Sequence, residues 1–106
     1  MSDPKSMLRD KLRSEILPAS WPELLYQFAR GGLFLVAPSC DLLAVAEAVA
    51  SDERARVEAL LASGELRRAS DDDARSFQAR AAEVRFQFAI VQPWVIAQEL
   101  RGGSDT

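Results

Sequence analysis

The residue best placed for nucleophilic chemistry is Cys40, the single cysteine of the chain. It directly precedes a predicted helix, where the helix dipole and free backbone N–H groups lower the pKa of a thiol. A cysteine nucleophile also needs a base to activate it, and the 106 residues include no histidine. Asp41, beside the thiol, would oppose thiolate formation. We therefore interpret Cys40 as a small hydrophobic side chain and predict no catalytic residue.

Acidic residues are the second candidates, for metal binding or acid–base chemistry. Asp71, Asp72 and Asp73 are consecutive, and consecutive side chains on a helix point about 100° apart, so they cannot converge on one ion. We interpret them as the first turn of a helix that begins after Ser70. The other carboxylates considered are Asp41, Glu47, Asp52, Glu53 and Glu58. Sequence distance gives no means of placing two of them within a few ångströms of each other. We therefore predict a helix cap and solvated helix faces, with Glu47 pointing outward and no metal or cofactor bound.

Arginines support an alternative function, DNA binding. The segment 42–63 is similar to the helix-turn-helix of excisionase-like DNA-binding proteins, with a strand after it as in the first wing. Arg54 and Arg56 would then contact bases or phosphates, and Arg67 and Arg68 would add contacts to the DNA backbone. The same helix carries several acids, and the formal net charge of the chain is −3. The charge therefore disfavours nucleic acid as the partner.

Large apolar side chains suggest a protein partner instead. Phe86, Phe88 and Trp94 belong to the many aromatic residues available to one small sheet. If Phe86–Val91 or Trp94–Ala97 is an edge strand, pairing with a second copy would satisfy its free backbone groups. A symmetric homodimer is the commonest such arrangement, and we predict one.

The elements that must position these residues are strands and helices in alternation. The run Leu33–Ala37 is wholly apolar, which is typical of a strand covered on both faces. Further strands are predicted at Glu65–Arg68, at Phe86–Val91, where apolar residues alternate, and at Trp94–Gln98, for which a helical turn is the alternative. The predicted fold is α+β: a small, mostly antiparallel sheet of three to four strands covered by four to five helices.

Capping residues predict where several helices begin and end. Ser20 and Glu23 have the spacing of a capping box, and Asp41 is placed to cap the helix that starts at Leu42. Gly31 and Gly64 are predicted to end helices in the left-handed conformation. The sequence leaves open whether 42–63 is one broken helix or two. Within its second half we expect Val57, Leu60 and Leu61 to be buried.

Composition favours one domain, residues 1–101, followed by a disordered tail, residues 102–106. A hydrophobic content of 48% is sufficient for a core without disulfides. The apolar runs are far shorter than the roughly 20 residues of a membrane span, so we expect no membrane association. No signal sequence opens the chain and one cysteine cannot form an internal disulfide, which together predict a cytoplasmic protein.

Two stretches resemble a known bacterial family. Asp41–Ala50 with Asp52-Glu53 resembles the central signature of the family classed as domain of unknown function 2288, and Gln92–Glu99 resembles its closing signature. The resemblance implies a stand-alone cytoplasmic protein without an established activity. We therefore predict a non-enzymatic interaction or regulatory module that self-associates and has an unknown protein partner.

Overall fold

A mixed five-stranded sheet is the centre of the molecule. A computed structural model describes the backbone of residues 4–100 and the side chains from residue 7. Its elements are α1 (Pro4–Glu15), β1 (Leu17–Ser20), α2 (Trp21–Ala29), β2 (Leu33–Val36), α3 (Leu42–Ala50), α4 (Arg54–Ser63), β3 (Leu66–Arg68), α5 (Asp71–Ala79), β4 (Arg85–Val91) and β5 (Trp94–Glu99). The α+β class is thus confirmed. The predicted disordered tail, residues 102–106, lies outside the described residues. None of the helices in the described range is long and apolar enough to cross a membrane.

The strand order is β1-β4-β5-β2-β3. The pairs β1–β4, β4–β5 and β2–β3 are antiparallel, whereas β2 and β5 are parallel. All four predicted strands are present, and Trp94–Glu99 is a strand rather than a helical turn. β1 was not predicted, because Leu17–Ser20 has no apolar alternation and includes Pro18. Proline is tolerated there because β1 lies at the edge of the sheet.

The apolar strand β2 is covered on both faces, as its composition predicts. Leu33 and Leu35 point into a core formed with α2 and α5. Val36 points to the opposite face, where α1 and α3 contribute most of the buried side chains. Helices therefore cover both sides of the sheet, and each side has its own hydrophobic core.

Aromatic packing dominates the core on the α2 side. Trp21 and Phe86 are fully buried, and Phe77 lies between them with ring centroids 5.2 Å and 4.9 Å away, respectively. The indole N–H of Trp21 donates to Oε1 of Gln78 at 3.1 Å. This bond satisfies the one polar group that burial of the indole removes from water.

The predicted helix ends are confirmed. The backbone N–H of Ser20 donates to Glu23 Oε1 at 2.7 Å, as expected for a capping box. Asp41 Oδ1 accepts from the N–H of Leu43 at 3.1 Å. Gly31 and Gly64 both have left-handed backbone angles, with φ of 77° and 82°. Local capping chemistry is therefore sufficient to define these boundaries.

The segment 42–63 is two helices, and Asp52 separates them. Its φ is 55°, in the left-handed region. The N–H of Asp52 donates to the carbonyl of Val49 at 3.1 Å, and that of Glu53 donates to Ala48 at 3.0 Å. This is the bonding pattern of a Schellman motif, in which the left-handed position is usually glycine.

Replacing Asp52 with glycine is expected to raise the free energy of unfolding by about 0.5–1 kcal/mol, because glycine adopts the left-handed conformation without the cost borne by other residues. The Asp52 side chain is exposed and its only ion pair within residues 7–100 is with Arg54, at 3.6 Å. Its removal therefore costs little electrostatic stabilisation. Urea unfolding measures the change. Ser51→Gly is the matched control: with φ of −91° at that site it should lower stability, and a stabilised Ser51→Gly would contradict the explanation.

Helix α4 is less buried than the sequence indicates. None of its side chains is fully buried, and Leu61, expected in the core, is 46% exposed. Val57 and Leu60 are partly buried against the core beneath. The prediction that Leu61 is buried was wrong, because α4 contacts mainly α3 and β3 and stands away from the centre of the sheet.

Candidate functional site

The thiol of Cys40 lies in the turn between β2 and α3, with Sγ 3.4 Å from Oε2 of Glu65. Desolvation raises the pKa of the Cys40 thiol, and the hydrogen bond to Glu65 and the charge of that carboxylate raise it further. A reactive cysteine needs a lowered thiol pKa instead. The surroundings of Cys40 therefore favour the protonated thiol.

Alkylation of Cys40 by iodoacetamide is expected to be half-maximal at a pH above the ordinary thiol value, roughly 8.5. Glu65→Gln should shift the midpoint downward, because the carboxylate that disfavours the thiolate is removed. Mass spectrometry across a pH series gives both midpoints. A Cys40 midpoint well below the ordinary value would reopen the possibility of a catalytic thiol.

Gln98, on β5, forms hydrogen bonds to the same turn and is 6% exposed. Its Nε2 donates to the carbonyl oxygens of Ala37 at 2.9 Å and Cys40 at 2.6 Å, while its Oε1 accepts from Nε2 of Gln87 at 2.8 Å. Every polar atom of this amide thus has a protein partner. The network is structural, and its only signal in the sequence is a polar residue inside an apolar strand.

Glu47 does not point outward, and that prediction was wrong. Its residue exposure is 9%, and its carboxylate accepts from Arg9 Nη1 at 2.9 Å. Asp41 lies 3.8 Å from the same guanidinium but is well exposed. Two carboxylates thus flank one arginine from α1, and the shorter, less exposed contact is the one with Glu47. Sequence reasoning missed this because Arg9 is 38 residues away.

Two of the other acids considered lie near arginines, whereas Glu58 has no ion pair among residues 7–100. Asp52 faces Arg54, and Glu53 lies 3.8 Å from Arg56. Residues 7–100 contain no group of three or more Asp, Glu, Cys or His side chains able to hold a metal ion.

The predicted start of α5 at Ser70 is confirmed. The hydroxyl of Ser70 accepts from the N–H of Asp73 at 3.1 Å, and Asp73 accepts in return from the N–H of Ser70 at 2.9 Å. Arg67 Nη2 also donates to Asp73 at 2.9 Å. This hydrogen bond from Arg67 is the main cause that lowers the pKa of Asp73. Asp73 therefore joins β3 to α5.

The four arginines of the DNA-binding hypothesis do not form one surface. Arg67 points to the α5 side and is engaged by Asp73. Arg68 is on the opposite face, with Cζ 5.5 Å from the ring centroid of Phe34. Arg54 and Arg56 stand on α4 beside the acids that neutralise them. Since neighbouring strand residues alternate in direction, Arg67 cannot share a basic face with α4.

The predicted edge-strand pairing through Phe86, Phe88 and Trp94 was wrong. Both β4 and β5 lie inside the sheet, because β1 pairs with β4 over Arg85–Phe88 and β2 pairs with β5, although Ala89–Val91 of β4 extend past β1. Phe86 is fully buried and Phe88 is partly buried in the same core. Trp94 alone of the three is well exposed, at 36%, because it begins β5 beside the hairpin turn at Gln92-Pro93.

An apolar pocket of about 210 Å³ lies beneath α4, and we call it the α4 pocket. Its lining comes from the sheet, α3 and α4: Phe34, Val49, Val57, Leu61, Leu66, Trp94 and Ile96. The rings of Phe34 and Trp94 meet edge to face, with centroids 5.3 Å apart. The sequence identified each residue as apolar but could not reveal that α4 stands off the sheet.

A wider groove of about 610 Å³ runs between α1 and the sheet edge, and we call it the α1 groove. Its walls are Leu8, Lys11, Leu12, Ser14, Glu15, Leu17, Ala50, Phe88, Ile90, Val91 and Gln92. Leu17 and Ile90 are 52% and 49% exposed on its sheet side. Exposed apolar residues that adjoin one another in this way are typical of an interaction surface.

Comparisons with known proteins place the chain in a family. The NMR solution structure of PA1075 from Pseudomonas aeruginosa matches with a TM-score of 0.78 and 40% sequence identity, over 100% of this chain and 95% of that one. No curated protein matches at the significance required. The family described as "Protein of unknown function (DUF2288)" matches residues 7–99, which include both signature stretches. The chain therefore belongs to the DUF2288 family.

Proposed function

We propose that this protein is a non-enzymatic, cytoplasmic interaction module that associates with a second copy of itself through the α1 groove. The observation that carries the proposal is the exposure of Leu17 and Ile90 on the wall of that groove. Burying such side chains contributes roughly 25 cal/mol per Å² of apolar surface. The lone cysteine supports a reducing compartment such as the cytoplasm.

Side-chain packing is favoured over strand pairing because the two outer strands, β1 and β3, are poor partners for a further strand. β1 is short and includes Pro18, which has no N–H to donate. β3 has three residues, two of which are Arg67 and Arg68. Short edge strands with proline or charged residues are common defences against edge-to-edge pairing. Pairing of two copies through β1 or β3 is therefore disfavoured.

The charges on the α1 side of the groove favour a second copy as the occupant. Lys11 and Glu15 both line the groove, one helical turn apart, and neither forms an ion pair within residues 7–100. When two α1 helices pack antiparallel about a two-fold axis, Lys11 of each copy faces Glu15 of the other. An isologous interface requires this kind of self-complementarity.

The charged groups elsewhere support a binding role rather than catalysis. Arg9 neutralises Glu47, and burial with the Glu65 contact raises the pKa of the Cys40 thiol. Catalytic groups are instead held ready for reaction, with pKa values matched to their task.

Ile90→Asp is expected to weaken dimerisation by at least about tenfold, because it places a charge in an apolar interface. Sedimentation velocity over a concentration series measures the dissociation constant. Tyr26→Asp is the matched control: Tyr26 is 66% exposed on α2 and does not line the groove, so its substitution should leave association unchanged.

Charge exchange tests the antiparallel arrangement. Lys11→Glu alone should weaken the dimer, and Lys11→Glu combined with Glu15→Lys should restore it, since the cross-copy pairs are re-formed with reversed sign. A wild-type protein that stays monomeric at all concentrations would refute self-association. A dimer insensitive to Ile90→Asp would refute this interface.

A further inference from the structure

Beyond self-association, we propose that the α4 pocket binds a small aromatic monocarboxylate, with the aromatic ring inside the pocket and the carboxylate on Arg68. All seven side chains that line the pocket are apolar. A site with this lining recognises a molecule by shape and hydrophobicity, and needs a polar group only to fix its orientation.

The dimensions of the pocket suit a single aromatic ring with a short side chain. Its volume is about 210 Å³, and a cavity of roughly 150 Å³ lined by Leu, Ile and Phe is sufficient to bind benzene. Phe34 and Trp94 already meet edge to face across one wall. A ligand ring entering beside them would find the offset or perpendicular geometry that aromatic groups prefer.

Arg68 supplies the charge that selects an acid. It is opposite Phe34 in the β2–β3 register, so both side chains project from the same face, and its Cζ lies 5.5 Å from the Phe34 ring centroid. The guanidinium is thus next to a wall of the pocket. It forms no ion pair with a carboxylate of residues 7–100, whereas the neighbouring Arg67 is engaged by Asp73. A planar guanidinium binds a carboxylate in two-pronged geometry.

Two side chains at the mouth of the pocket are partly exposed to solvent, as the entry of a ligand requires. Leu61 is 46% exposed and Trp94 is 36% exposed, although both line the pocket. α4 buries none of its own side chains fully, so adjusting its position costs little core packing. A ligand would bury the exposed parts of both side chains.

Titration with 3-phenylpropionate tests the proposal, with 3-phenylpropan-1-ol as the neutral analogue. The Trp94 indole N–H resonance is a reporter in the pocket, and that of Trp21 is an internal control in the opposite core. We expect saturable shifts of Trp94 in the millimolar range or below, and binding of the alcohol about tenfold weaker. Arg68→Gln should weaken binding of the acid to the level of the alcohol. Arg54→Gln, which removes the same charge from an exposed site on α4, should not.

A second pair of variants tests the location. Val57→Phe fills the pocket and should abolish the Trp94 shifts, whereas Ala59→Phe adds the same ring to an exposed position on α4 and should preserve them. Non-saturable shifts, or equal affinity for acid and alcohol, would overturn the proposal. A wild-type protein that stays monomeric at all concentrations but still binds the acid would refute only the self-association proposed for the α1 groove.

Discussion

Gln98→Glu is expected to lower the free energy of unfolding by about 3 kcal/mol at neutral pH. The amide Nε2 donates to two backbone carbonyls, of Ala37 and Cys40, at 2.9 Å and 2.6 Å. A carboxylate has no proton to donate and would face both oxygens directly. Because the site is 6% exposed, water cannot readily replace the lost donor. Chemical denaturation followed by circular dichroism measures the change.

The loss in Gln98→Glu should depend on pH. Burial beside two carbonyl oxygens raises the pKa of the introduced carboxyl in the folded state. The variant therefore loses stability as the pH rises above the unfolded value of about 4.3 and recovers part of it in acid. Gln87→Met is the matched control, because Gln87 only donates to Gln98 and is partly exposed; it should cost about 1 kcal/mol or less. A Gln98→Glu variant as stable as wild type would show that the network does not hold the turn.

Much of the fold was predictable because short-range signals define its elements. The apolar run at Leu33, the alternation around Phe88 and the caps at Ser20, Asp41 and Ser70 each act within a few residues. Their outcome depends little on the rest of the chain, so sequence patterns find them. β1 escaped prediction because its strand conformation comes from pairing with β4, not from its own residues.

The candidate surfaces depend on distances that the sequence does not contain. Helical periodicity marks Leu61 as apolar, but only the position of α4 decides whether it is buried or lines a pocket. The exposed Ile90 belongs to an alternating strand pattern identical to that of its buried neighbour Phe86. Exposure at one end of a strand follows from where α2 ends its coverage, which is a tertiary property.

Both candidate surfaces lie where the helices cover the sheet least completely. The α4 pocket exists because a helix with no fully buried side chain closes one side of the core. The α1 groove lies where β4 continues past Leu17, the first residue of β1. Incomplete coverage of a small sheet therefore produces both candidate binding surfaces.

Arg9→Met is expected to lower the free energy of unfolding by about 2 kcal/mol, because it leaves the Glu47 carboxylate buried without its partner. The Glu47 side chain is 12% exposed and that of Arg9 is 41% exposed. The loss of folding stability should therefore be smaller than for a fully buried ion pair. Glu47→Met should lower the free energy of unfolding by less than Arg9→Met does, since the Arg9 guanidinium can turn toward solvent or Asp41. Thermal and urea unfolding measure both.

The double variant Arg9→Met with Glu47→Met separates the ion pair from simple packing. If the loss in Arg9→Met comes from the stranded carboxylate, removing that carboxylate should recover most of it, and the two substitutions will be strongly non-additive. Additive losses would mean that Arg9 stabilises α1 through its aliphatic stem alone. A non-additive result would identify the Arg9–Glu47 pair as the electrostatic link that docks α1 on α3, and thereby positions one wall of the α1 groove.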